Sequence, residues 1–408
     1  MRKLISLILL IFLFSCSGEE TILETGSWRG VLFTQEQELP FNFEISRNDS
    51  GFYAHLVNAS EKLDAGQVIF DGDSIIIPMG YFDASIKAKL SPDGLEGYFT
   101  KHFARNYFVP MKAQPGSFRF SDGNSETDMN FEGKWEVTFY DPDDDRYTPS
   151  VGIFAQNGSQ LTGTFLTPTG DYRFLQGDVM NETLNLSTFD GEHLYLFKAS
   201  LKDTVLEGEY FSGLGGYKTW KARRNPDAVM PNAEEITTLR EGYETLDFSF
   251  PDMKGNLVSL VDEKYQNKVV VVQIFGTWCP NCMDETKFLA EWYEKNKSRG
   301  VEIIGLAYEN KDDFVYAKER INKMVEKLHV GYDFLFAGSR DNAKASATLP
   351  MLNKVTAFPT TIFIDRTGKV RKIHSGFSGP GTGHYYKELV EEFNNTIDQL
   401  VSEETELN

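Results

Sequence analysis

Residues Lys268-Val269-Val270-Val271-Val272-Gln273-Ile274-Phe275 run directly into Gly276-Thr277-Trp278-Cys279-Pro280-Asn281-Cys282. A continuous β-branched run of this kind fits a strand buried on both faces. Beyond Cys282, Phe288, Leu289, Trp292 and Tyr293 recur at helical spacing with charged residues between them. The chain must therefore place a buried strand, a tight turn and a helix in succession, with two cysteines where the helix starts. In that context a C-x-x-C pair reads as redox-active. The free N–H groups and the dipole at a helix N-terminus favour a thiolate. Cys279 is expected to be the exposed nucleophile and Cys282 the resolving thiol. The alternatives are a structural zinc half-site or two inert core cysteines. Zinc takes about four ligands, whereas the sequence has no second cysteine pair and none of its six histidines lies near the motif. No metal and no organic cofactor is expected.

The chain's 408 residues suffice for two or three domains. Its 32 Phe, 18 Tyr and 34 Gly describe a β-rich globular protein rather than a disordered one. A net charge of −19 speaks against nucleic acid or an anionic membrane surface as an electrostatic partner.

The third cysteine, Cys16, ends a segment in which Met1-Arg2-Lys3 precedes the apolar run Leu4 to Phe14. A basic start, an apolar core and Leu13-Phe14-Ser15-Cys16 make a secretory signal of the lipoprotein kind. The end of this segment resembles a lipobox, from which Phe14 departs. An ordinary cleaved signal with an incidental cysteine is the other reading. The run is shorter than the roughly 20 residues of a membrane-spanning helix. On the lipoprotein reading the mature chain begins at lipidated Cys16, outside the cytoplasm, in the cell envelope. The acidic pair Glu19-Glu20 leaves surface exposure open beside a periplasmic location.

From Gly26 to Lys112 apolar residues alternate with polar ones, as in Phe41, Phe43 and Ile45, and turn signals recur. The pattern then repeats. Gly26-Ser27-Trp28 returns as Gly133-Lys134-Trp135, and Leu95-Glu96-Gly97-Tyr98-Phe99 as Leu206-Glu207-Gly208-Glu209-Tyr210-Phe211. Two tandem antiparallel all-β units are expected, barrels or sandwiches. The G-x-W on the first strand, with a basic residue near the last, resembles lipocalin and avidin barrels. That resemblance implies a cation packed over the tryptophan. Such a unit either holds a small ligand or is filled by its own side chains.

The boundaries read as a signal peptide over 1–16, a tether over 17–25, repeat 1 over 26–116 and a polar linker over 117–130. Repeat 2 then covers 131–223, a second linker 224–241, a mixed α/β domain 242–402 and a tail 403–408. In the α/β domain a hairpin precedes the valine strand. A strand from Val301, a helix over 312–327 and a strand over 332–336 follow the cysteine helix. A helical stretch over 342–352, a hairpin from Thr360 to His374 and a helix over 385–401 complete it.

A hairpin, a strand, a W-C-x-x-C helix, an inserted strand and helix, then Phe358-Pro359-Thr360 before an antiparallel pair resemble a thioredoxin-fold oxidoreductase. The likeness is to its membrane-tethered extracytoplasmic branch, the TlpA/ResA-like proteins, and spans about residues 242–402. The resemblance implies a cis bond before Pro359, turning the backbone of Phe358 towards the cysteines; the residues alone allow an ordinary trans turn. It implies substrate contact from Trp278, Pro280, Asn281, Phe358 and Thr360. Glu285, one turn beyond Cys282, matches the acidic residue that handles the buried cysteine's proton, although by spacing alone it reads as an exposed helix glutamate. Gln273 stands where thioredoxin has a buried aspartate, and glutamine takes no proton at neutral pH.

The function expected is a lipid-anchored disulfide reductase that acts on protein disulfides or thiols and is fed by a membrane electron donor. The alternative is a ligand- or partner-binding envelope lipoprotein with an accessory redox domain. A peroxiredoxin shares the fold, but its P-x-x-x-T-x-x-C setting is absent. If Cys16 carries lipid, Cys16→Ala leaves the protein soluble or unprocessed when cell fractions are immunoblotted; unchanged membrane association rejects the anchor.

Overall fold

A computed structural model describes residues 23–121, 127–143 and 146–403; Cys16 and the expected signal segment lie outside these. Nine strands from Gly26–Thr34 to Phe108–Pro115 form the first antiparallel sheet. Gly26–Thr34 pairs with both Gln37–Asn48 and Phe108–Pro115. The two ends of the sheet meet where Gly80 N–H donates to Ala65 O at 2.7 Å, so the barrel is nearly closed. The second sheet is a complete ring. Gly133–Tyr140 pairs with Tyr147–Asn157 and with Gly216–Arg224, and Tyr147–Asn157 pairs onward with Gln160–Thr167.

Phe139, Phe165, Phe197, Tyr210 and Trp220 pack ring against ring inside the second barrel, with centroids 4.7–6.2 Å apart. The first is filled by Phe41, Phe43, Phe99 and their neighbours. Both interiors are thus occupied by the chain's own side chains. The expected cation lies over the tryptophan in one repeat alone: Arg224 is 4.9 Å from the Trp135 ring. In the first barrel the strand partner of Trp28 is Pro115, and Trp28 stacks on Phe43.

The segment expected to be a polar linker over 117–130 carries a buried tie. Arg119 donates to Pro40 O and Val57 O of the first barrel and to Gln176 Oε1 of the second. Burial lowers its pKa to about 9.

The α/β domain has a five-stranded sheet in the order Asp333–Ser339, Val301–Glu309, Val269–Phe275, Thr360–Ile364, Val370–Ser375. The first three strands are parallel and the last two antiparallel. Val269, Val271 and Phe275 face the helices Pro280–Asn296, Phe314–Leu328 and His384–Ser402. Val270, Val272 and Ile274 face Leu246, Phe248 and the short helix Asn342–Thr348. Core on both faces explains the uninterrupted valine run. The expected helix over 342–352 stops at Thr348, and its last four residues turn instead to pair with residues 238–240, as in the Leu239–Leu352 bridge. The helix-side core runs without a break into the first barrel, so Leu56, Met79 and Phe82 share a cluster with Met283 and Trp292.

Removing a ring from the second barrel leaves a cavity in a close-packed interior. Phe165→Ala should lower stability by roughly 3–5 kcal/mol, read as a lower urea midpoint.

Candidate functional site

The buried strand Val269–Phe275 ends beside Tyr308, and Gly276 makes the turn. A Cβ on Gly276 would stand 2.6 Å from Tyr308 O, so glycine allows the backbones to approach. Trp278 Nε1 then donates to Tyr308 O at 2.8 Å, and its ring meets Phe358 edge to face. Thr277 is held through both its N–H and its hydroxyl by Glu309, at 2.9 and 2.7 Å. Glu309 was not anticipated: it lies at the end of an apolar strand, and nothing in its spacing marks it.

Cys279 is the N-cap of the helix Pro280–Asn296, with its Sγ 3.2 Å from Cys282 N–H. The two cysteines form a disulfide. Pro280 occupies the first helical position, where its missing N–H costs nothing. The Phe358-Pro359 bond is cis, and Phe358 O lies 3.3 Å from Cys279 Sγ. This geometry offers a sulfur at Cys279 a backbone N–H on the helix side and a carbonyl on the loop side.

Glu285 is 4% exposed, which overturns the surface reading of its spacing. Gln273 Nε2 donates to its Oε2 at 2.8 Å and Thr361 Oγ1 to its Oε1 at 2.5 Å. Gln273 Nε2 also lies 3.5 Å from Cys282 O. Burial raises the Glu285 carboxyl to about 7, with the two hydrogen bonds opposing. Glu309 is likewise raised to about 7 by burial.

Four expected features differ. Cys279 is 5% exposed rather than open. Asn281, expected to face substrate, is 7% exposed because its amide donates to Asp171 O of the second barrel at 3.0 Å. Pro280 is buried with it, its carbonyl accepting from Arg173 Nη1 at 3.1 Å. Thr360 is fully buried, its hydroxyl turned to Ala357 O. Of the expected contact residues, Trp278 and Phe358 remain partly exposed. The barrel residues that cover the helix start stand about 110 positions earlier, so no local pattern announced them.

A cleft of about 700 Å3 opens along the flank of the cysteine helix. Met283, Phe288 and Trp292 face Leu63, Met79 and Phe82 of the first barrel across it. Among the described residues no group of three His, Cys, Asp or Glu could hold a metal ion.

The Redoxin family model matches residues 240–389. The thiol-disulfide oxidoreductase ResA of Bacillus subtilis (strain 168) is 27% identical over 164 residues, 40% of this chain and 82% of its own length. ResA of Geobacillus kaustophilus (strain HTA426) is 30% identical over 142 residues, covering 35% and 73% of the two chains. A solved thioredoxin-family thiol:disulfide interchange protein of Chlorobium tepidum TLS is 18% identical, with a TM-score of 0.31. It covers 40% of this chain and 100% of its own. The barrels lie outside the matched family region.

A carboxyl whose value is raised on folding from 4.5 to about 7 binds its proton more tightly in the folded chain. Its contribution is therefore present at low pH and lost as pH rises through about 7. Glu285→Gln keeps the shape without the charge, so it should reduce the loss of stability between about pH 5 and pH 8, measured by urea unfolding at both.

Proposed function

The chain belongs to the ResA-type thiol-disulfide oxidoreductases of the thioredoxin superfamily, and on that premise we propose that it reduces disulfides of extracytoplasmic proteins from a lipid anchor at Cys16. The observation that carries the reading is Cys279 at the helix N-cap, facing Cys282 N–H on one side and Phe358 O on the other. In the reduced enzyme Cys279 attacks a substrate disulfide, forming a mixed disulfide and releasing one substrate thiol. Cys282 then attacks Cys279 Sγ, the second substrate thiol leaves, and the enzyme holds the Cys279–Cys282 disulfide. Two electrons pass to the substrate, and a membrane donor must return them.

Glu285 is the residue proposed to handle the proton of Cys282; its burial and its carboxyl raised to about 7, one helical turn beyond that cysteine, support the reading. Trp278 and Phe358 form the surface that meets substrate. The lipid anchor rests on the order of residues before Cys16. No helix among the described residues is long and apolar enough to cross a membrane. The filled barrel interiors speak against small-molecule capture inside the repeats.

Cys279→Ser should abolish disulfide reduction, and Cys282→Ser should accumulate the mixed disulfide, seen as a thiol-cleavable adduct. Equilibration with glutathione buffers decides the direction. A reductant lies near about −270 mV and a strong oxidant near about −120 mV. A measured potential above about −180 mV reverses the proposed electron flow.

A further inference from the structure

The loop that follows Gln160–Thr167 in the second barrel reaches the redox helix at both residues between the cysteines. Asp171 O accepts from the Asn281 amide at 3.0 Å, and Asp171 Oδ2 accepts from Gly379 N–H at 2.7 Å and lies 3.4 Å from Asn281 Nδ2. Two residues on, Arg173 donates from one nitrogen to both Pro280 O and Asp284 Oδ2, and from another to Glu61. The loop backbone is seated equally closely. A Cβ on Gly376, whose φ is +81, would stand 2.7 Å from the carbonyl carbon of Thr169. Asp171 and Arg173 are therefore not a surface that grazes the catalytic domain: they are 9% and 3% exposed and bonded to the first turn of its cysteine helix.

We infer that Asp171 and Arg173 are positioning residues of the redox site, through which the second barrel sets the balance between the Cys279–Cys282 disulfide and the dithiol. The inference rests on the function proposed above but not on substrate or direction. The residues between two cysteines of a C-x-x-C motif fix the geometry in which a thiolate at the first meets the N–H of the second. In this chain those residues are held from outside the catalytic domain.

The loop also brings charge. The Asp171 carboxylate lies beside the intervening dipeptide, where it opposes a thiolate at Cys279. Arg173 works in the opposite sense, with the carboxylates of Glu61, Asp190 and Asp284 around it. Burial raises the Asp171 carboxyl to about 6, against the hydrogen bond from Gly379 and the charge of Arg173, so it is ionised at pH 8. A unit charge about 10 Å away through protein changes an ionisation roughly tenfold. Asp171→Asn removes the charge yet keeps the backbone carbonyl that holds Asn281 and an oxygen for Gly379 N–H. For this substitution the charge effect should outweigh any loosening.

The test is the equilibrium of the full chain with glutathione buffers at pH 8, paired with the pH dependence of Cys279 alkylation. Asp171→Asn should shift the equilibrium about tenfold toward the dithiol, about 30 mV for a two-electron couple, and lower the pH at which Cys279 becomes reactive. A role confined to holding the units together moves the unfolding midpoint and neither of these. If Asp171→Asn does not fold, Arg173→Lys carries the test. Lysine keeps the charge but cannot serve Pro280, Asp284 and Glu61 together, and a shift of at least threefold toward the disulfide is expected. A shift under twofold in the variant measured, or one of opposite sign, overturns the inference. Failure of the unaltered chain to equilibrate with glutathione would instead reject the redox function itself.

Discussion

Arg173 brings one buried positive charge to the wall of the cleft, and carboxylates from three parts of the chain gather round it. Glu61 comes from the first barrel, Asp190 from the second and Asp284 from the cysteine helix. Taking such groups out of water costs several kcal/mol per ion, which their mutual attraction offsets only with good geometry. The cluster is thus a weak source of net stability. Its physical consequence is arrangement: displacing any one unit strands buried charge in the others. Burial, with the neighbouring Asp284 and Asp190, pushes Glu61 up to about 7 against the charge of Arg173. Arg119, threaded between the barrels, uses neutral acceptors for the same end.

With the helix start held in this way, the chemistry at the cysteines has little access to bulk water for its protons. Two buried carboxylic acids, Glu285 and Glu309, lie in the elements that carry the cysteines and their turn. Glu285 projects from the buried face of the cysteine helix to Gln273 and Thr361, while Glu309 grips the turn at Thr277. Burial raises both to about 7. A group with that value can exist in either state near neutrality, which suits proton exchange with a thiol. The glutamine at position 273 donates from its amide but neither gains nor loses a proton near neutrality. It orients Glu285, and Thr286 Oγ1 lies 3.2 Å from its oxygen.

The parts of this design that lie close together in sequence were legible there. The valine run, the cysteine spacing and Pro280 at the helix start all follow from periodicity and helix-end chemistry. So does the repeat, because each copy carries its own G-x-W. What could not be read is what depends on pairing across more than a hundred residues. Asp171 and Arg173 look like ordinary turn and strand-end residues until the second barrel is laid against the cysteine helix. Glu285 looks like a surface glutamate until Thr361 arrives from 76 residues away. The linker over 117–130 is polar in composition, yet Arg119 within it is buried by two barrels that its sequence neighbours do not reveal.

The same long-range contacts decide from which side a partner can approach. On the Pro280–Asn281 side the second barrel fills the space, and Thr360 turns its hydroxyl inward to Ala357. What remains beside the disulfide is the pair Trp278 and Phe358, meeting edge to face. Arg340 extends this surface: its guanidinium lies 5.0 Å from the Trp278 ring and 5.5 Å from Phe103 of the first barrel. The exposed Arg340 is thus a local positive charge beside an aromatic step, in a chain whose net charge of −19 opposes acidic partners at longer range. Both barrels thereby border the disulfide, the second by covering the helix start and the first by lining the side left open.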